Sequence, residues 1–187
     1  MRRWIWIVLA GAVLLAGGRS PAREPDGLAL VRVLGVDGAG PVELTAVCGG
    51  EDQGDQSRGR CAGEDFNGAL KRLPWSGREE LSLTSVSYLV VGRDVDLKEV
   101  LLAVLRNEEL GASATVWLAD EGASALLARC KDPASALELL TRRGVDAPTA
   151  AQALAALLDG KKMTLPRLRS GEDGPVWLDW EEWRGEG

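Results

Sequence analysis

The sequence predicts an α+β fold, α/β-like in its order: a mixed β-sheet with several helices packed on it, forming one domain after an N-terminal signal segment. Three observations lead there. Short apolar runs of strand character recur at residues 28–36, 42–47, 81–91, 114–118, 163–168 and 176–180. Between them lie stretches with helical spacing and recognisable caps. With 187 residues, 45% of them hydrophobic, the chain is long enough to bury about 70% of its unfolded surface around one core. Strand pairs alternating with helices argue for a mixed sheet rather than a doubly wound parallel one.

Each element has a local cause. Leu28 to Val36 and Val42 to Val47 are dense apolar runs joined by Asp37-Gly38-Ala39-Gly40-Pro41, which predicts a hairpin. Gly49 to Gly63 is polar and glycine-rich and reads as a loop. Glu64 to Leu73 carries Phe66, Leu70 and Leu73 at helical spacing, and Leu81 to Val91 reads as one buried strand. In the next helix Asp96 can cap, with Glu99 three residues on; Leu97, Val100, Leu101, Val104 and Leu105 form the apolar stripe, and Gly111 suits the end. Ala114, Val116 and Leu118 alternate as in a strand. Helices follow at Ala123 to Cys130, Pro133 to Arg143 and Pro148 to Leu158; Asp132-Pro133 supplies the cap and first turn of the second, and Gly144 and Gly160 stop the second and third. Met163 to Leu168 and Val176 to Trp180 close the chain as strands.

At the N-terminus Arg2 and Arg3 precede an apolar run from Trp4 to Ala16. That run would span about 20 Å as a helix, short of the ~30 Å hydrocarbon core, and its layout is that of an export signal. The division expected is residues 1–18 signal peptide, 19–27 linker and 28–187 folded domain. Ala16 and Gly18 suit the small sites of signal peptidase, and Gly18 stands where a lipoprotein would carry its acylated cysteine. The protein is therefore expected to be exported to the outer face of the cytoplasmic membrane, with no lipid attached.

Composition removes whole classes of chemistry. The formal charge of -6 and pI near 4.9 give no basic field for nucleic acid. The absence of histidine removes Ser-His-Asp and Cys-His catalysis, and three cysteines without histidine cannot build a four-ligand zinc site of Cys or Cys/His type. Gly160-Lys161-Lys162 lacks the Ser/Thr and the leading glycine of a phosphate-binding loop, and Gly35 to Gly40 has the glycine spacing of a turn. Glu79-Glu80, Glu108-Glu109 and Glu181-Glu182 are sequence neighbours whose side chains point apart on a helix or strand. No catalytic, cofactor-binding or metal-ligating set is expected.

Three features remain. Asp37, before a glycine at a bend, is read as a turn residue bonding its local amides. Cys48 and Cys61 flank one polar loop of an exported chain, which suggests a disulfide; closing about 15 residues would contribute roughly 3 kcal/mol. Cys130 is then expected buried on its helix, and three unlinked thiols are the other outcome. Trp177, Trp180 and Trp183 fall within seven residues beside Asp179, Glu181 and Glu182. In a regular strand Trp180 points opposite to the other two. The segment is either a terminal strand packing its aromatics on the domain or a protein-binding patch.

The order of several of these segments resembles a known family. A first strand closing on Leu34-Gly35-Val36-Asp37, then Leu83-Thr84-Ser85-Val86-Ser87-Tyr88-Leu89-Val90-Val91-Gly92, an acid-capped helix, Arg106-Asn107-Glu108, a strand from Ala114 to Ala119 and Gly122-Ala123-Ser124-Ala125-Leu126-Leu127 together resemble the N-terminal domain of Ger(x)C-type spore germination proteins, the lipoprotein C subunits of germinant receptors. The likeness runs from about Leu28 to Trp180. Family members carry a lipidated cysteine where this chain has Gly18 and continue into further domains, whereas this chain reaches Gly187 about where the first domain would end. The resemblance implies a non-enzymatic, exported partner of membrane-embedded receptor subunits, membrane-proximal without a lipid anchor, at the spore inner membrane. An exported small-ligand-binding domain, with the Gly49 to Gly63 loop as its lid, is the alternative.

Overall fold

The computed structural model describes residues 28–38, 40–49, 58–73, 80–171 and 174–184. The signal segment, the linker and residues 50–57 of the expected loop lie outside them. The elements are β1 (Leu28–Asp37), β2 (Val42–Cys48), β3 (Arg58–Gly63), α1 (Phe66–Arg72), β4 (Glu80–Ser82), β5 (Tyr88–Gly92), α2 (Leu97–Arg106), β6 (Thr115–Ala119), α3 (Ala123–Arg129), α4 (Pro133–Arg142), α5 (Ala150–Leu158), β7 (Lys162–Gly171) and β8 (Gly174–Arg184).

The expected α+β architecture is present. Among the described residues eight strands make one mixed sheet in the order β3-β2-β1-β5-β6-β7-β8, with β4 beside the start of β1. The inner pairs β1/β5, β5/β6 and β6/β7 are parallel, while β1/β2/β3 and β7/β8 are antiparallel. Helices cover both faces. On one, α1, α2 and α5 pack Phe66, Leu101, Val104 and Leu154 on Leu34, Leu89, Val116, Leu118 and Leu165. On the other, α3 and α4 pack Leu126, Leu127 and Leu137 on Val33, Val90, Trp117 and Leu168. β6 is therefore buried on both sides, as parallel strands between two helical layers are.

Local signals are met where the partner lies within one helical turn. Asp96 accepts from the Glu99 amide at 3.0 Å and Asp132 from the Ser135 amide at 3.1 Å. The start of α5 shifts from Pro148 to Ala150, because Thr149 and Gln152 form a reciprocal capping box. Pro148 instead accepts the Val116 amide at 2.9 Å, extending the sheet beside β6.

Three expectations are corrected. The C-terminal part of the Gly49 to Gly63 loop is strand β3, which pairs with β2 from Val47↔Arg58 to Val42↔Gly63. A ladder needs backbone groups and a partner edge, and β2 supplies the edge that its polar sequence conceals. Buried Gly63 faces α1, where an added Cβ would lie 2.3 Å from the Ala69 amide nitrogen. The single strand expected from Leu81 to Val91 is two strands, β4 and β5, separated by a turn at Thr84 and Ser85; both lie parallel to β1, at its two ends. Finally, α2 ends at Asn107 rather than Gly111, since the Asn107 side chain accepts the amides of Glu109 and Leu110 at 2.8 and 3.2 Å.

Candidate functional site

The tryptophan segment forms β8, an edge strand of the sheet paired to β7 alone among the described residues. Its register breaks once: Trp177 opposes Leu168 and Asp179 opposes Arg167, so Leu178 is the extra residue of a β-bulge. A bulge inverts the alternation beyond it. Trp180, opposite Pro166, therefore shares a face with Trp177, against the expectation that the two point apart. Their rings meet edge to face with centroids 5.9 Å apart and planes at 67°, a contact worth about 0.5–1.5 kcal/mol beyond area burial. The Trp177 indole Nε1 donates to the Asp179 carbonyl at 2.9 Å. Both rings stay substantially in solvent, at 38% and 40% exposure. Trp183 lies on the opposite face beside Met163 and packs against the core under α5. The three tryptophans thus divide into an exposed pair and one partly buried ring packed against the core.

The adjoining end of the sheet carries a charge cluster that no local motif announces. Arg93 follows β5 and Asp120 follows β6; Arg93 bridges Asp120 and Glu181 at 3.0 and 3.2 Å, and Arg167 holds Asp179 at 2.7 Å. Next to it, Asp120, Glu121, Arg129, Arg169, Ser170 and Val176 line an open cleft of about 630 Å³. The Ser170 hydroxyl beside Glu121, then the Ser170 amide at 2.6 Å, with Arg129 and Arg169, hold the Glu121 carboxyl below its ordinary range. Sequence reasoning missed these residues. The available signal was position: Gly92-Arg93 and Asp120-Glu121 each follow an apolar run, at the carboxyl ends of parallel strands where open sheets place ligands.

Asp37 also departs from its expected role. Its carboxylate reaches across the sheet to accept the amides of Ala123 and Ser124 at 2.7 and 2.6 Å, capping α3. Gly122 at the N-cap of α3 has no side chain to do so. The bare helix start is thus filled by the protein's own acid.

Cys48 and Cys61 are not linked by a disulfide. In the β2/β3 ladder Cys61 opposes Leu44, four residues from Cys48 along the strand. At about 3.3 Å per residue the offset is roughly 13 Å, well beyond the ~7 Å that a disulfide spans. The Cys61 thiol donates to the Ala69 carbonyl at 3.0 Å, and burial raises the pKa of both Cys61 and Cys130. Thiol titration of the protein denatured without reductant should count three thiols, the number of cysteines in the chain; a count of one would restore the disulfide.

The paired glutamates behave as neighbours in a strand or turn. Glu181 faces Arg93 while Glu182 faces Lys162 at 3.0 Å, on opposite sides of β8. Glu108 and Glu109 are exposed in the turn after α2, at the rim of a hollow of about 360 Å³ with Lys71 and Leu83. Glu79 lies outside the described residues. Among the described residues no group of three or more Cys, Asp or Glu is placed to hold a metal ion, and no helix is long and apolar enough to cross a membrane. No family model, curated protein or solved structure matches the chain.

Proposed function

We propose that the chain is a non-enzymatic, exported and membrane-associated subunit or accessory of a spore germinant receptor complex, acting through protein–protein contacts with membrane-embedded receptor subunits. The segment order that resembles Ger(x)C N-terminal domains suggests the setting. The observation that carries the contact reading is the exposed Trp177–Trp180 pair on an edge strand. Large aromatic rings left in water at a strand edge are a typical anchor of protein interfaces.

Recovery of the complex from detergent-solubilised membranes tests this, with Trp180→Ala and Trp183→Ala compared. Trp180→Ala should cut recovery by about thirtyfold in affinity terms, an anchor loss of roughly 2 kcal/mol, while lowering the melting temperature by only a few degrees through the lost contact with Trp177. Trp183→Ala, which opens the core under α5, should instead lower the melting temperature. Unchanged recovery with Trp180→Ala, or a large fall in its melting temperature, would sink the assignment.

The second reading, an exported small-ligand-binding domain, draws on the cleft lined by Asp120, Glu121, Arg129 and Arg169. Its lid cannot be the whole Gly49 to Gly63 segment, since β3 is fixed in the sheet. A thermal-shift screen against small charged metabolites separates the readings: a saturable shift abolished by Arg169→Ala favours the cleft.

A further inference from the structure

We infer that the outer edge of β8 receives an extended, basic segment of a partner protein, added as a further strand with an arginine or lysine set over the Trp177 and Trp180 rings. This rests on the proposal that β8 is the partner-binding surface and adds to it the class of segment bound. Along the outer edge the backbone of β8 has no strand partner among the described residues. An unpaired edge is a template for another strand, and the side chains beside it decide which strand is accepted.

The bulge at Leu178 confines regular pairing to the part from Asp179 to Arg184. There Trp180 and Glu182 lie on one face of the sheet, and Asp179, Glu181 and Trp183 on the other. Alternate residues of an added strand would therefore meet a carboxylate on either face. These carboxylates are engaged with Arg167, Arg93 and Lys162, but Asp179 and Glu182 remain more than half exposed, at 54% and 61% of their side chains. Exposed ion pairs are weak, so a cation of an added strand can compete for these carboxylates at little cost.

A second copy of this chain is the poorer occupant. An antiparallel β8 pair centred on Trp180 would set Asp179 against Glu181, and one centred on Glu181 or Glu182 would set that glutamate against itself. Like charges directly opposite one another destabilise a sheet, so the same acids that admit a basic strand reject this one. The indole pair adds preference of the same sign. Its rings carry no stacked cation from the chain's own described residues, and an aromatic face attracts a guanidinium or ammonium.

The test uses the full chain and fluorescein-labelled peptides of about eight residues, one alternating arginine and valine and one alternating glutamate and valine, read by anisotropy. A third peptide carries the arginine sequence with alternate backbone amides N-methylated, so that it keeps its charge and loses strand pairing. The arginine peptide should bind at least tenfold more tightly than the glutamate peptide. Its affinity should fall about tenfold or more with Trp180→Ala and again with N-methylation, and Glu182→Lys should narrow the preference. Equal binding of the arginine and glutamate peptides, or of the N-methylated and parent peptides, overturns the inference; the latter outcome means charge attraction alone. If complex recovery depends on Trp180 while the peptides show no such discrimination, the contact surface stands and the basic-strand partner falls. If recovery does not depend on Trp180, the contact reading itself fails.

Discussion

Trp117→Ala should destabilise the protein by about 3–5 kcal/mol, the range for removing a buried indole. Trp117 is fully buried at the centre of β6, between β5 and β7, and it is the largest side chain of the core beneath α3 and α4. The cluster it belongs to includes Val33, Val90, Ala119, Leu126, Leu127 and Leu137, held on three strands and two helices that cannot all move into the void. The substitution also removes the hydrogen bond that the indole N–H donates to the Thr115 hydroxyl at 2.9 Å, although that hydroxyl keeps its own bond to the Ser87 carbonyl at 3.4 Å. Against a total stability of about 5–15 kcal/mol, a loss of this size lowers the melting temperature by about 6–20 °C. Urea unfolding followed by far-UV circular dichroism measures it. Trp117→Phe, which keeps most of the volume, should cost clearly less; an alanine variant within about 1 kcal/mol of the parent would show that the α3/α4 layer is not a tightly packed core.

Asp37→Ala should cost about 2–3 kcal/mol although the residue is only partly buried. Its carboxylate accepts two amide hydrogen bonds at the start of α3, and among the described residues no other side chain bonds those amides. Removing it leaves both amides and the positive end of the helix without that acceptor, and the carboxylate's slot empty. The slot is defined by glycines: a Cβ at Gly92 would stand 2.3 Å from Asp37 Oδ1, and one at Gly122 would stand 3.3 Å from it. Gly92→Ala should therefore be strongly destabilising by expelling the carboxylate, and its cost should shrink when Asp37 is already alanine. A double-mutant cycle with urea unfolding reads this coupling directly. Strict additivity of the two substitutions would mean that Gly92 acts through something other than Asp37, and an Asp37→Ala cost below about 0.5 kcal/mol would remove the cap from the account.

The sequence alone determined those features whose causes lie within a few residues of each other. Asp96 and Asp132 bond amides three positions ahead, so their helices were legible from spacing, and the turn after Asp37 closed the hairpin as its glycines and Pro41 require. Leu89 to Val91 was legible within a buried strand because strands buried on both faces are apolar throughout, and Val116 and Leu118 were legible by their alternation, although the structure buries β6 on both faces. Tertiary structure decided what depends on a distant partner. β3 is a strand because β2 offers an edge, and the residues from Leu81 to Val91 form two strands because each meets a different end of β1. The register of β2 against β3 parts Cys48 from Cys61, and one extra residue in β8 turns Trp180 to the side of Trp177. Asp37 has the local signature of a turn residue, yet its carboxylate bonds amides 86 and 87 positions away. A side chain at a strand end takes the best-aligned donors that the fold brings to it, and sequence spacing carries no record of donors that arrive from another element.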